Sequence, residues 1–315
     1  MRLLVTGAGG FLGRNILLAL PPSWQVFALH RPGDAAFPAF VSANHLDHIQ
    51  PVACDLTDAA QVAQAVDQTG RAFESCLYLA SNTSIPGSIQ RPLDDLSSNV
   101  VGLLRALEGW SFDHLVYLSS GAVYMSQTGP VGPSTRTTPT LPYAVSKLAA
   151  EHYIHTFTAH RQTPRRATII RFFGAFGPHE PPRKLYTRLV QRFAFERNPQ
   201  FCVLGDGDNY IDAMYIDDAV RSLLAALNAP AAGLCVVDLG MGNRESVNKV
   251  VRRAARAFGL EARITHEGTA PEYITFHCDP EPFRARYQVA PVVSLEDGLK
   301  RLAAHLQQEA QHAES

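Results

Sequence analysis

Apolar runs and amphipathic segments alternate along the first half of the chain. Residues 3–5 and 115–119 form mainly apolar runs, which are typical of strands buried on both faces of a sheet. Residues 142–160 instead place apolar side chains at helical spacing. This alternation of strand and helix predicts an α/β fold with a doubly wound parallel sheet of the Rossmann type.

The same pattern predicts most of the individual elements. Strands are expected at residues 3–5, 26–29, 51–53, 76–80, 115–119, 167–171 and 235–239. Helices are expected at residues 11–20, 58–66, 93–107, 142–160, 184–196, 217–227 and 246–258. Because the rhythm changes near the proline-rich stretch PHEPPR, we expect a Rossmann domain at residues 1–175 and a smaller C-terminal lobe at 176–315. Residues from about 212 to 240 are expected to return to the sheet.

Composition narrows the class of protein. The chain has 315 residues, of which 46% are hydrophobic and 18% charged, and its net charge is −1. Such a balance is typical of a soluble globular protein and argues against a general nucleic-acid binder. No apolar stretch approaches the ~18 residues of a membrane span, and the apolar opening is too short for a signal peptide.

Cysteine and histidine spacing gives no sign of a metal or a disulfide. The five cysteines lie far apart without a CxxC pair, and the twelve histidines form no HExxH pattern. Widely spaced thiols of this kind are typical of reduced cysteines. We therefore expect a cytoplasmic protein that has no metal site and binds neither nucleic acid nor a membrane.

The stretch TGAGGFLG joins the first predicted strand to the first predicted helix. Gly7, Gly10 and Gly13 lie within it at GxxGxxG spacing. Dinucleotide-binding folds use glycines at this junction for a tight turn, for close approach of the backbone to the pyrophosphate, and for helix–strand packing. The helix N-terminus adds free N–H groups and a partial positive charge. Since the spacing is not GxGxxG, a glycine-rich turn without a ligand remains an alternative.

Two further stretches carry groups suited to proton transfer. Tyr143 and Lys147 are separated by four positions, so they share one face of the predicted helix. A nearby ammonium favours the phenolate and lowers the pKa of a tyrosine from ~10 towards neutrality. Ser120 follows a predicted strand, at the edge of the sheet where doubly wound folds bind ligands. Taken singly, these could be an exposed helical pair and a strand-ending serine.

Together these stretches resemble the extended short-chain dehydrogenase/reductases, a group of NAD(P)-dependent sugar-nucleotide epimerases, dehydratases and reductases. The resemblance rests on TGAGGFLG, CDL at 54–56, SSGAVY at 119–124, PYAVSK at 142–147, RFFGAFGP at 171–178 and YIDDAV at 215–220. It implies that residues 1–175 bind the dinucleotide and that the C-terminal lobe binds the substrate.

The resemblance also implies roles for particular residues. Tyr143 would be the acid/base, Ser120 would hold the reacting oxygen, and Lys147 would bind the nicotinamide ribose. Ser120 is preferred to Ser119 because the family serine lies four residues before the tyrosine of the VY pair. The implied cofactor-binding residues are Gly7, Gly10, Phe11, Leu12, Gly13, His30, Arg31, Asp55, Leu56, Leu79, Ala80, Ser81, Asn99, Tyr143, Lys147 and Phe173. The implied substrate-binding residues are Thr83, Ser120, Gly174, Arg183, Lys184 and Ile211. For Asn99, a packing or capping role is an equal alternative.

The end of the second strand bears on the choice of cofactor. NAD sites usually place an acidic residue there to bind the ribose 2′-OH, but this chain has His30 followed by Arg31. A guanidinium at this position can pair with a 2′-phosphate, which favours NADP over NAD. Asp34 follows three residues later, and a bent loop that returned it to the ribose would favour NAD.

Departures from the family pattern narrow the set of reactions and substrates that we expect. Family 4,6-dehydratases carry Asp–Glu before the VY pair, whereas this chain has Gly121 and Ala122, so an epimerase or a 4-ketoreductase is expected. Gly174 and Ile211 stand where the family often has residues that contact the sugar-nucleotide pyrophosphate, and Arg183 or Lys184 could replace them. The alternatives are a reductase of a non-nucleotide carbonyl compound and a non-catalytic NADP sensor. The resemblance also implies a homodimer formed through the helices at 93–107 and 143–160.

Overall fold

The computed structural model describes residues 1–161, 163–270 and 273–314. Its strands, in chain order, are β1 (Arg2–Thr6), β2 (Gln25–His30), β3 (Ile49–Ala53), β4 (Ala72–Tyr78), β5 (Ser111–Ser120), β6 (Thr128–Val131), β7 (Arg166–Phe172), β8 (Ala175–Phe176), β9 (Gln200–Leu204), β10 (Met214–Tyr215), β11 (Leu234–Leu239), β12 (Arg263–Glu267) and β13 (Thr275–Cys278).

Helices cover both faces of the central sheet, which seven of these strands form. They are α1 (Phe11–Leu17), α2 (Ala36–Ala43), α3 (Ala59–Thr69), α4 (Ile85–Gln90), α5 (Pro92–Leu96), α6 (Gly102–Gly109), α7 (Pro142–His160), α8 (Leu185–Val190), α9 (Ile216–Asn228), α10 (Val247–Ala257), α11 (Glu281–Tyr287) and α12 (Leu295–Glu314). The π-helical turn Ser97–Val101 joins α5 to α6, and the π-helical turn Gln191–Phe195 extends α8.

Seven parallel strands form the central sheet in the order β11-β7-β5-β4-β1-β2-β3. The chain starts at β1 near the centre, builds outward to β3, and then continues on the other side through β4 to β11. This reversal beside β1 is the doubly wound arrangement, so the expected α/β Rossmann sheet is confirmed. Its strands all end at one edge, where the segments after β1, β4 and β5 come together.

Alternating side chains of the strands supply two apolar cores. In β1, Leu3 and Val5 belong to the core on one face of the sheet, whereas Leu4 belongs to the core on the other. This two-sided burial explains why the strands are continuous apolar runs rather than alternating ones. All five cysteines are free thiols.

Three small parallel pairs build the rest of the molecule beyond the carboxyl edge of the sheet. They pair β8 with β10, β9 with β12 and β6 with β13. The segment after β7 therefore crosses from the central sheet into the C-terminal part, and Phe173 and Gly174 lie at this crossing. Within the described ranges, no helix combines the length and the hydropathy that a bilayer span requires.

Candidate active site

The turn after β1 is shaped by close backbone contacts that only glycine permits. Gly7 has φ +68°, and a Cβ atom there would lie 2.8 Å from the backbone nitrogen of Ala80. A Cβ atom at Gly13 would lie 2.4 Å from the Ala8 carbonyl oxygen, so α1 packs directly on the turn. Gly10 precedes α1 and provides no side-chain cap for its first N–H groups. These uncapped donors and the bare backbone fit the pyrophosphate of a dinucleotide.

The loop after β4 borders this glycine turn and is held by buried polar groups. The hydroxyl of Thr6 accepts hydrogen bonds from the backbone N–H groups of Leu79 and Ala80, at 3.2 and 3.1 Å. The Asn99 side chain accepts from the hydroxyl of Ser81 at 2.9 Å and from the N–H of Asn82 at 2.7 Å. Asn99 is buried and lies in the π-helical turn. Its observed role is thus to fix the loop, and direct contact with a cofactor stays a prediction.

Asn99 also connects this loop to α7. Its amide donates to Asp95 at 3.1 Å and to the Ser146 hydroxyl at 2.9 Å, and Ser146 in turn donates to Asp95 at 2.7 Å. All three side chains are buried. The network ties the loop after β4 to the helix that carries Tyr143 and Lys147.

The adenosine end of the predicted site contains two groups of opposite charge. Arg31 is exposed and lines a cavity of about 380 Å³ together with Thr57 and Ser98. The Asp34 carboxylate points back to the glycine-rich turn. Its Oδ2 lies 2.7 Å from the position that a Cβ atom would occupy if Gly9 had one. His30, by contrast, is buried, and its ring packs on Phe37 with 5.0 Å between the centroids.

The residues after β3 are held by local bonds. The Asp55 carboxylate accepts from both the N–H and the hydroxyl of Thr57 at 2.8 Å. Leu56 is buried and packs closely on Gly102. Its Cβ lies 3.2 Å from the position that a Cβ atom at Gly102 would occupy. Phe11 and Leu12, at the start of α1, are partly buried against the apolar core.

Lys147 is buried on α7 directly against the end of β5. Its Nζ donates to the Leu118 carbonyl at 2.6 Å and lies 4.4 Å from the centroid of the Tyr117 ring. Burial lowers the pKa of Lys147 to about 7, although the carboxylates of Glu151 and Asp95 oppose the shift. The Lys147 amino group is therefore held at the carboxyl edge of the sheet, against the carbonyl of Leu118, which lies two residues before Ser120.

Tyr143 begins the same helix and reaches the segment after β5. It packs against the cluster of Ala122, Met125 and Ala144, and its backbone N–H donates to the Ser88 hydroxyl at 3.2 Å. The Ser120 hydroxyl accepts from the N–H of Ala122 at 3.1 Å. The structure thus brings the segments that carry Ser120, Tyr143 and Lys147 to one place.

The predicted substrate residues are more dispersed. Phe173, which is predicted to bind the cofactor rather than the substrate, packs on the segment after β5, and its ring lies 3.1 Å from the position that a Cβ atom at Gly121 would occupy. Gly174 has φ +136°, which disfavours the asparagine of the family pattern. Thr83 is exposed in the loop after β4. Arg183 and Lys184 are exposed in the segment just before α8.

Ile211 lines a separate cavity of about 220 Å³ together with Tyr186, Glu245 and Arg253. The cation in this cavity is already paired, because Arg253 contacts Glu245 at 2.6 Å and Glu296 at 2.7 Å. The next residue, Asp212, is buried and accepts the backbone N–H groups of residues 241–243 at 3.0 to 3.3 Å. Asp212, the aspartate of the family pattern, thus has a structural role. Ile211, an apolar residue, occupies the position of the family arginine.

A buried polar chain beneath the site was not predicted from the sequence. The Arg171 guanidinium donates to Glu151 at 2.8 Å and to the Tyr124 hydroxyl at 2.7 Å. Tyr124 lies 3.0 Å from both carboxylate oxygens of Asp238. Burial raises the pKa of Asp238 to about 7, against the effects of Tyr124 and Arg171. Glu151 lies four residues after Lys147, and this spacing was the one signal that could have revealed the chain.

Comparison with known proteins assigns the chain to a family. A model of the NAD dependent epimerase/dehydratase family matches residues 3–240. The UDP-glucuronate 4-epimerase of Thermodesulfobacterium geofontis (strain OPF15) is 26% identical over 317 residues, which cover 95% of this chain and 94% of that protein.

Solved structures show the same fold over nearly the whole chain. The UDP-glucuronic acid 4-epimerase of Bacillus cereus, in complex with UDP-glucuronic acid and NAD, has a TM-score of 0.85 at 24% identity and covers 98% of this chain and 100% of its own. The UDP-glucose 4-epimerase of Thermotoga maritima, with UDP-glucose, has a TM-score of 0.86 at 20% identity, with coverage of 98% and 100%. At these identities the two structures establish the fold.

Proposed function

Because the chain belongs to the NAD-dependent epimerase/dehydratase family, we propose that it is a 4-epimerase of a UDP-activated sugar. The observation that carries this proposal is the buried Lys147 amino group, which lies one helical turn after Tyr143 on α7 and 2.6 Å from the Leu118 carbonyl. A buried cation beside a tyrosine at the carboxyl edge of a Rossmann sheet is suited to proton transfer at a carbinol.

In the proposed reaction, each residue either transfers a proton or positions a reacting group. A cofactor held by the glycine turn and Lys147 would supply the hydride acceptor and donor that the reaction at the sugar carbon requires. Tyr143 removes the proton of the sugar hydroxyl and gives it back to the keto oxygen. Lys147 stabilises the phenolate of Tyr143 and binds the ribose next to the nicotinamide, and Ser120 holds the reacting oxygen. The glycine turn at Gly7 and Gly13 would hold the pyrophosphate.

The absence of an acid pair supports epimerisation over dehydration. The family's 4,6-dehydratases resemble one another in carrying an Asp–Glu pair before the VY pair as the acid and base of water elimination, but Gly121 and Ala122 occupy those positions here. A 4-ketoreductase needs the same Tyr143 chemistry, and it differs in releasing the oxidised cofactor. A non-catalytic NADP sensor would have no use for a buried lysine on the tyrosine helix.

We also propose that Arg31 gives the enzyme a preference for NADP. Its exposed guanidinium borders the adenosine end of the site and could pair with a 2′-phosphate. Asp34 supports NAD instead, because its carboxylate returns to the glycine-rich turn, where it would repel a phosphate and accept from the ribose 2′-OH.

Affinities of Arg31→Gln and Asp34→Asn for the two cofactors separate these choices. Charge-assisted hydrogen bonds contribute about 1.5–3 kcal/mol. If NADP is preferred, Arg31→Gln should weaken NADP binding by about tenfold or more and leave NAD binding nearly unchanged. A loss of NAD affinity in Asp34→Asn, with NADP binding unaffected in Arg31→Gln, would assign the site to NAD.

The cavity at Ile211 supports a second candidate, a reductase of a non-nucleotide carbonyl compound. Its cation, Arg253, is neutralised by two carboxylates, so the cavity has no free positive charge for a diphosphate. Arg183 and Lys184 remain the proposed replacements for the missing pyrophosphate contacts.

We further propose that the protein is cytoplasmic and forms a homodimer through α5, α6 and α7.

Bound cofactor and substrate turnover test the proposed function together. Denatured protein should release NAD(P), and the intact enzyme should interconvert UDP-glucuronate or UDP-glucose with its 4-epimer. Tyr143→Phe should lower turnover by about 10²- to 10⁴-fold. Tyr153→Phe is the matched control, because Tyr153 is an exposed tyrosine on the same helix. Equal activity of Tyr143→Phe and wild type would refute the mechanism, and net consumption of NADPH by a simple ketone would favour the second candidate.

A further inference from the structure

Three metal-binding side chains meet where the loop after β8 contacts the C-terminal helix α12. His179 Nδ1 lies 3.8 Å from Glu309 Oε1, and His305 Nε2 lies 3.1 Å from the same oxygen. One donor atom from each residue falls within 4.8 Å of the other two. No metal motif is visible in the sequence, because His179 is distant from the other two residues along the chain.

The fold holds these side chains in place before any ion binds. His305 and Glu309 are one turn apart on α12, so they share a face of that helix. The His179 ring packs edge-to-face on Phe40 at 5.4 Å and on His305 at 5.1 Å. The Asn15 side chain donates to the Pro178 carbonyl at 2.9 Å and thus anchors the residue before His179.

The chemistry of the cluster suits a cation. One ring nitrogen of His179 and one of His305 approach the same carboxylate oxygen, Glu309 Oε1, and imidazole nitrogens and carboxylate oxygens are both zinc ligands. The Nε2 atom of His305 is buried without an aligned hydrogen-bond partner in the described structure. The Glu309 carboxylate supplies the one negative charge among the three donors.

We propose that His179, His305 and Glu309 form a binding site for a divalent transition metal of the zinc class. Two imidazoles and one carboxylate are a common zinc donor set, and they leave the fourth position to water. Zinc–ligand bonds of about 2.0–2.1 Å place tetrahedral donors roughly 3.3 Å apart, a value that lies between the two observed distances to Glu309 Oε1, 3.1 and 3.8 Å. The ion would join α12 to the loop after β8, and this site does not depend on the proposed function.

Zinc titration of the untagged full-length protein by calorimetry tests the proposal. Wild type should bind one Zn²⁺ per chain, and excess Zn²⁺ should raise the unfolding temperature. His179→Asn, His305→Gln and Glu309→Gln should each weaken binding by more than about 100-fold, since even changes outside the ligand set cost about 10- to 100-fold. Asparagine is chosen at position 179 because it tolerates the observed φ of +66°.

His45→Asn is the matched control. His45 is an exposed histidine that also has a positive φ, of +52°, and it lies outside the cluster. This variant should bind Zn²⁺ like wild type. The proposal is overturned if wild type shows no one-to-one binding, if any of the three cluster variants retains it, or if His45→Asn loses it as well. Unfolding curves without metal show that each variant is folded.

Discussion

At Gly13, the turn after β1 requires glycine because backbone atoms of the turn leave no room for a Cβ atom. The residue lies inside α1, where alanine is favoured over glycine by up to ~1 kcal/mol. However, a Cβ atom there would lie 2.4 Å from one backbone oxygen and 2.6 Å from another, Gly7 O. Since neither oxygen can move without opening the turn, the steric cost exceeds the gain in helix propensity.

We therefore expect Gly13→Ala to lower the free energy of unfolding by about 1–3 kcal/mol and to weaken cofactor binding. Urea unfolding and a binding titration measure the two effects. Gly132→Ala is the control, because a Cβ atom there would meet nothing within 4 Å, and its effect should stay within about 0.5 kcal/mol. Equal stability of the two variants would contradict this interpretation of the turn.

Among the elements, helix α7 was predictable in full, whereas the helix before it was not. Pro142 at the first turn fixes the start of α7, and the predicted and observed bounds coincide at Pro142–His160. The predicted helix at 93–107 is instead interrupted by the π-helical turn Ser97–Val101. Asn99 in that turn bonds to residues from the loop after β4 and from α7, so the interruption depends on tertiary contacts that no local pattern contains.

The pairing of α7 with β7 depends on one buried ion pair. Glu151 and Arg171 are joined at 2.8 Å, and both side chains are less than a tenth exposed. Removal of one partner from a buried pair leaves an uncompensated charge and costs about 3–5 kcal/mol. Glu151→Gln should lower the free energy of unfolding by nearly this amount, as measured by urea unfolding at neutral pH.

Glu196→Gln is the matched control for that change. Arg192 and Glu196 form an ion pair at 2.5 Å, but their side chains are 36% and 42% exposed. An exposed helical pair contributes only about 0.3–0.5 kcal/mol. If the two glutamine variants lost equal stability, the Glu151–Arg171 pair would not be the main link between α7 and β7.

For the whole molecule, the sequence predicts the central sheet better than the part beyond it. Most central strands are apolar runs that can be recognised locally, and parallel strands separated by helices admit few topologies. The pair β6–β13 joins segments far apart in the chain, and β6 contains Gly129 and Pro130, so no local pattern marks it as a strand. For the same reason, the lining of the cavity at Ile211 and the cluster at His179 could not be predicted.

One surface of the whole molecule favours the proposed homodimer. Large apolar side chains are exposed on neighbouring helices, with Leu93 of α5 at 78% and Tyr153 of α7 at 43%. Exposed apolar groups that cluster on packed helices are typical of a subunit interface. Each charged substitution on this surface should therefore separate the subunits, because the introduced carboxylate would be buried without a partner in the dimer.

Leu93→Glu and Tyr153→Glu should each convert the protein to a monomer, as measured by size-exclusion chromatography with light scattering. Val292→Glu is the control, since Val292 is 73% exposed but precedes α12, away from α5 and α7. It should leave the molar mass of the wild type unchanged. A wild-type monomer, or dimers that survive both helix substitutions, would show that these helices do not form the interface and that their apolar side chains face solvent in the native enzyme.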